Sequence, residues 1–273
     1  MAFSVSRRGL AGVAAAAAST GMVTLAQAKT MDEVLQEGVL RVGIHPNSPP
    51  FSGRNAAGEW EGFDVAIANL LAAELKIEKV EFVPTETAQR VPFLVADTID
   101  LALGGLTRNS ERAKLIEYSF PLHTEVMGVL TTDKVAISSY KDLNDAKYTL
   151  VDVRSAWTID WAKENLPNAK MEIVDSSADA IRMIAQGRAD ALVEMLDFFV
   201  AFTGNHADVT WKILDEKIDV GWDCIGIQKG NYALRDVLNI ALFKLHSSGK
   251  VDEEWMKVAG AEMLVKIPAQ PYF

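Results

Sequence analysis

Few side chains in this sequence have the type and spacing for covalent or metal chemistry. The four histidines, His45, His123, His206 and His246, are dispersed with no i, i+4 pair, and Cys224 is the only cysteine. That leaves no disulfide and no metal-ligand spacing, and Cys224 reads as a small buried hydrophobe. Arginines suit recognition better. A guanidinium offers two parallel donors to two carboxylate oxygens and stays charged at any relevant pH. Arg112 follows Gly104-Gly105-Leu106-Thr107, and Arg90 opens Arg90-Val91-Pro92-Phe93-Leu94. On charge alone, Arg112 could equally sit on a solvated helix face with Glu111 and Lys114, and Arg90 could lie exposed beside Gln89. Two adjacent glycines permit close approach of a ligand to the backbone, or they turn the chain at a strand end.

The elements that must position these residues alternate along the chain. Residues 31–36 read as a short helix and 39–44 as a strand; Pro46, Pro49 and Pro50 then impose an irregular loop. From 64 to 75, apolar side chains recur at Val65, Ile67, Ala68, Leu71, Ala72 and Leu75, an amphipathic-helix spacing. Strands are expected at 80–83, 99–103, 149–153, 171–174 and 189–193, with helices at 91–96, 159–165 and 178–186. This order predicts an α/β protein with helices covering mainly parallel sheets. With no Gly/Ser tether, a lobe boundary must fall within strands. The β-like segments 126–131 and 224–228 flank a central block with its own α/β pattern, so two crossovers would join two lobes. Such a double connection permits bending and limits sliding. The expected division is 1–28 as a signal peptide, 29–127 and 223–273 as one lobe, and 128–222 as the other.

The amino end carries Arg7-Arg8, an alanine-rich apolar run and Ala26-Gln27-Ala28, the layout of a secretory signal cleaved after Ala28. Ser6-Arg7-Arg8-Gly9-Leu10 also resembles a twin-arginine export sequence. The run is about 15 residues, short of the roughly 20 that span a bilayer. The net charge of −10 and the lack of a Lys/Arg cluster disfavour nucleic-acid binding. A free periplasmic protein is expected.

Taken in order, several motifs resemble those of the bacterial extracellular solute-binding proteins, family 3, which include periplasmic receptors for polar amino acids. They are Leu40-Arg41-Val42-Gly43, Pro49-Pro50-Phe51, Gly62-Phe63-Asp64-Val65, the Arg90 motif, the run from Ile99 to Arg112, Tyr118-Ser119-Phe120-Pro121, Gly187-Arg188-Ala189-Asp190-Ala191 and Ser248-Gly249-Lys250. The resemblance implies a two-lobed, type II periplasmic-binding-protein-like fold. A small polar ligand would bind in the cleft, and the closed form would be read by the membrane permease of an ABC importer. It implies a monomer with no cofactor, no metal and no bond made or broken. Arg112 would grip the ligand carboxylate, Thr107 would offer its hydroxyl and Gly105 its carbonyl, and Arg90 would reach toward the ligand side chain. Arg154, Ser155 and Ala156 occupy a turn whose N–H groups open a helix, an anion-favouring arrangement.

Departures from the family pattern bear on the ligand. Three residues before Phe51 an aromatic is replaced by Ser48, and a nearby acidic residue by His45. Met195 stands where an aspartate usually pairs with an α-ammonium group. Glu194 is adjacent, but strand alternation would point it to the opposite face; a shifted register would bring Glu194 or Asp197 into play, or the ligand lacks an α-ammonium. Asp64 is expected to cap or brace the following helix. The leading expectation is a receptor for a carboxylate-bearing solute, a polar or acidic amino acid foremost, with an organic acid or opine as alternatives. A lyase resembling cyclohexadienyl dehydratase is a further alternative, but Phe198 stands where those enzymes look to carry a glutamate.

Overall fold

The computed structural model describes residues 29–154, 156–196, 199, 206, 208–214, 216–259, 262–263 and 265–267. The expected signal peptide, Ser155, Asp197 and Phe198 lie outside them. Helix α1 (Met31–Glu37) starts at Thr30, which forms a capping box with Glu33, and stops at left-handed Gly38. Strand β1 (Val39–Ile44) follows, then the short hairpin β2 (Gly53–Arg54) and β3 (Trp60–Glu61). Helix α2 (Phe63–Leu75) buries Val65, Ile67, Ala68, Leu71 and Ala72, the stripe its spacing predicted.

The first lobe continues through β4 (Lys79–Pro84), α3 (Arg90–Val95), β5 (Leu101–Ala102) and the single-turn α4 (Ser110–Ala113). A 17-residue strand, β6 (Ile116–Thr132), then leads away. The second lobe holds β7 (Thr149–Val153), α5 (Trp157–Asn165), β8 (Lys170–Val174), α6 (Ser177–Ala185), β9 (Ala191–Met195) and β10 (Trp211–Ile213). Strand β11 (Asp219–Gln228) returns to the first lobe, which ends with α7 (Tyr232–Ser247) and α8 (Lys250–Ala259).

Strand order is β4-β1-β5-β11-β6-β9-β7-β8, with β10 added to β6. The pairs β1–β4, β1–β5, β7–β8 and β7–β9 are parallel, whereas β6 and β11 run antiparallel to their neighbours. Strand β6 pairs with β11 from Ile116 to Met127 and with β9 from Met127 to Thr131, so this one strand belongs to both lobes. The register with β11 shifts on each side of Cys224, the signature of a bulge.

Leu40, Val42 and Ile44 meet Ile67, Leu71, Leu238, Leu242 and Trp255 in one core, while Leu94, Ile99, Leu106 and Ile116 form a second. Met127, Val129, Leu150 and Val193 anchor a third, in the second lobe. Each such burial is worth about 1.5–3 kcal/mol.

Asp64 does not cap α2. The N-cap is Gly62, at φ 118°, and the amides of Phe63 and Asp64 donate to the carbonyls of Pro50 and Phe51 at 3.1 and 2.8 Å. A Cβ on Gly62 would collide with the Phe51 carbonyl, so this tight docking of the helix start needs glycine. Asp64 is left fully buried, with neither carboxyl oxygen hydrogen-bonded. Burial, then Asp223, raises its carboxyl to about 8.

Candidate ligand-binding cleft

A cleft with about 540 Å³ of empty space, its mouth included, opens between the lobes. The first lobe lines it with His45, Ser48, Phe51, Thr87, Arg90, Gly104, Gly105 and Arg112; the second contributes Val153, Ala156, Trp157, Ser177, Glu194 and Met195. Each comes from the end of an element. His45 directly follows β1, the two glycines follow β5, Arg90 opens α3, Arg112 lies on α4, Trp157 and Ser177 open α5 and α6, and Met195 closes β9. Ligand sites in open α/β sheets gather at such strand ends and helix starts.

Arg90 is 3% exposed; it donates Nη1 to the Gly104 carbonyl and Nε to the Thr87 carbonyl at 3.4 Å. Burial, then Arg112, lowers it to about 10, which leaves it charged at neutral pH. Arg112 donates Nη1 to the Thr107 carbonyl at 2.9 Å, and its amide is held by the Asn109 side chain at 2.8 Å. His45 has Nε2 3.1 Å from Glu86 Oε2, but burial, then Arg90, lowers its imidazole to about 4. It is therefore neutral at pH 7. Glu194 is the one carboxylate among the described lining residues; burial, then Asp152, raises it to about 8. Among the described lining residues the guanidinium groups of Arg90 and Arg112 thus share the cleft with an acid that is largely protonated at pH 7. Trp157 Nε1 is buried without an acceptor, a donor facing the same space.

Of the residues singled out from sequence, His45, Ser48, Phe51, Arg90, Gly105, Arg112, Ala156, Glu194 and Met195 come together here. Thr107 stands just behind the lining, its hydroxyl donated to Glu125 Oε2 at 2.7 Å. Arg154 is exposed and turned to Asp175, Nε to Oδ1 at 2.8 Å, outside the cleft. Glu194 and Met195 both line the cleft, contrary to the alternation expected of a strand, at the end of β9.

Sequence reasoning missed Thr87, Val153, Trp157 and Ser177 in the lining, and also a charged cluster behind it. His123 Nε2 lies 2.5 Å from Asp223 Oδ2, and both are buried. Asp223, then neighbouring Glu125 and Asp64, outweigh the burial that opposes charge and raise His123 to about 9. Its ring packs between Phe51, Phe63 and Trp255, with centroids 5.2–5.6 Å away. His123, Glu125 and Asp223 bring ligand-type atoms within 4.8 Å of one another, but the ion pair and the Thr107 hydroxyl already engage three of these atoms. The histidine spacing in sequence gave no hint of this cluster, because β6 and β11 bring its members together across the sheet.

Residues 40–258 match the model of the bacterial extracellular solute-binding proteins, family 3. A probable amino-acid ABC transporter periplasmic-binding protein of Sinorhizobium fredii is 27% identical over 261 residues, covering 89% of this chain and 83% of that protein. Cyclohexadienyl dehydratase of Pseudomonas aeruginosa is 27% identical over 170 residues, 62% of this chain and 63% of the enzyme. The crystal structure of an ancestral amino acid-binding protein, described as a precursor of cyclohexadienyl dehydratase, superposes with a TM-score of 0.77 at 30% identity, covering 84% of this chain and 98% of that one. With this match running from the first strand to the last helix, the chain belongs to the bacterial extracellular solute-binding proteins, family 3.

Proposed function

We propose that this chain is the periplasmic receptor of an ABC importer, a monomer that closes its lobes on a small carboxylate-bearing solute without turnover. A polar or acidic amino acid is the ligand the cleft favours, ahead of an organic acid or opine. The observation that carries this reading is the pair Arg90 and Arg112 lining one cleft. A guanidinium presents parallel donors that match the two oxygens of a carboxylate. Lobes at 29–127 with 223–273, and at 128–222, follow from placing the hinge where β6 and β11 cross. Among the described residues no helix is long and apolar enough to span a membrane. Export would use the signal ending at Ala28 and the twin-arginine route, giving a mature chain that starts at Lys29.

One observation favours a second reading, a lyase on this fold: Glu194 holds a proton inside the cleft, as a general acid must. A single screen separates the two. The exported protein, its intact mass checked for a start at Lys29, is heated with amino acids, opines, dicarboxylates, prephenate and arogenate. A ligand at one hundred times its Kd adds about 2.7 kcal/mol and moves the midpoint up by roughly 5–11 °C. The receptor reading expects such a shift with at least one amino acid and no product from any compound. No shift with any of them sinks it, and product from prephenate or arogenate replaces it with the lyase.

A further inference from the structure

A second hollow, a groove of about 830 Å³, lies in the first lobe between α7, the start of β6 and Arg108. It shares no described lining residue with the cleft. Its volume falls within the roughly 300–1,000 Å³ of small-molecule sites. Helix α7 serves two surfaces. Leu234, Leu238, Ala241, Leu242 and Leu245 are buried, whereas Arg235, Asp236, Asn239, Ile240 and Phe243 recur at i, i+1, i+4, i+5 and i+8 and line the groove. Tyr118 and Phe120, two residues apart on β6, add an aromatic wall.

From Ile116 to Pro121, β6 pairs with β11 alone, so its other edge meets no described strand. That edge is nevertheless poorly suited to adding a strand. Asn239 Oδ1 accepts the Phe120 amide at 2.7 Å, Ser119 Oγ donates to the Phe120 carbonyl at 2.6 Å, and His246 Nε2 lies 3.2 Å from the Pro121 carbonyl. Recognition in the groove therefore falls to side chains. Ile240, 60% exposed, is the most exposed large hydrophobic side chain among the described residues, and it stands with Phe120, Phe243 and Tyr118 in one lining. Arg235 is occupied: its Nη2 lies 2.8 Å from Asp236 Oδ1 and its guanidinium sits 4.9 Å over the Tyr232 ring. Arg108 is exposed, and its guanidinium has no hydrogen-bond or ion-pair partner among the described residues. The groove thus joins one uncommitted cation to an aromatic and aliphatic wall.

We propose that this groove is a second binding site, which takes a small aromatic carboxylate with its ring against Phe120, Ile240 and Phe243 and its carboxylate on Arg108. The site is separate from the cleft and does not rest on the receptor reading. Apolar contact supplies most of the affinity. The guanidinium selects an anion over a neutral molecule of the same shape.

The test titrates the mature protein with naphthylacetate and with naphthylacetamide, its neutral counterpart, by ligand-observed NMR. The acid is expected to bind with a Kd of about 1 mM or below, and about fivefold more tightly than the amide. Arg108→Gln should bring acid and amide within about twofold of each other. Ile240→Asp, which sets a carboxylate in the apolar wall, should weaken the acid about tenfold. No acid binding up to about 10 mM overturns the proposal, as does a wild type that binds the two probes equally. Either variant overturns it by leaving the acid's affinity at the wild-type value. An acid that is lost with Arg112→Ala and survives both groove variants sits in the cleft, which also overturns it. Both groove side chains are exposed, so their variants are expected to fold, and a melt checks this. Should one fail, the other and the wild-type preference for the acid decide.

Discussion

Arg112→Ala is expected to lower affinity for the cognate solute by about 2–5 kcal/mol, the cost of truncating one partner of a buried, hydrogen-bonded charge pair. At about 1.4 kcal/mol per factor of ten, that is roughly 30-fold to several-thousand-fold in Kd. The loss should appear mainly as faster dissociation. Arg112→Lys keeps the charge but not the fork of donors, so it should fall between wild type and Arg112→Ala. The unliganded midpoint should change little, because Arg112 is only partly buried and α4 is a single turn. Binding calorimetry with a parallel melt measures both. An Arg112→Ala protein within threefold of wild-type affinity would remove Arg112 from the site.

Acidity is expected to stabilise the empty protein. Burial raises the carboxyls of Asp64, Glu125 and Glu194 to about 8 and that of Asp152 to about 7. Between pH 4 and these values the folded chain holds protons that the unfolded chain has released. Stability therefore declines as pH rises, by about 1.4 kcal/mol per pH unit for each such proton. His123, raised to about 9, adds the same sign: its contribution is complete below the unfolded value of 6.5 and is lost as pH rises through 9. His45 acts oppositely, since a folded value near 4 adds stability as pH rises from 4 to 6.5. Five groups oppose one, so urea unfolding should give a free energy at pH 5 at least about 3 kcal/mol above that at pH 8.5. A flat or rising profile would contradict protonation of these buried carboxyls. Asp64→Asn should flatten the slope, because it removes one titrating group from the cluster.

Much of the fold was legible because its signals are local. The Thr30–Glu33 capping box, the α2 stripe and the run 39–44 each specify their element within one short segment. The central strands were less so. From Leu122 to Thr132 every residue of β6 is buried, so no alternation marked its length, and only 126–131 was expected of its 17 residues. Glu125 falls in that silent stretch. Arg112, Arg90 and Gly105 were found through their motif, whereas Trp157 and Ser177 reach the cleft only because α5 and α6 begin beside it. Thr107 was credited with ligand contact from its motif position alone; in the structure its hydroxyl is spent on a strand neighbour 18 residues away.

Trp157 has one more consequence, an optical one. Of the six tryptophans, Trp60 stacks near Phe82, Trp161 near Tyr140, Trp211 near His206 and Trp255 within the Phe51–Phe63–His123 group, while Trp222 faces solvent. Trp157 alone lines the cleft, with its indole N–H unclaimed. A solute that enters meets one chromophore and leaves five in place. The unlabelled protein should thus signal occupancy as a change in emission against a constant background, which makes it its own fluorometer.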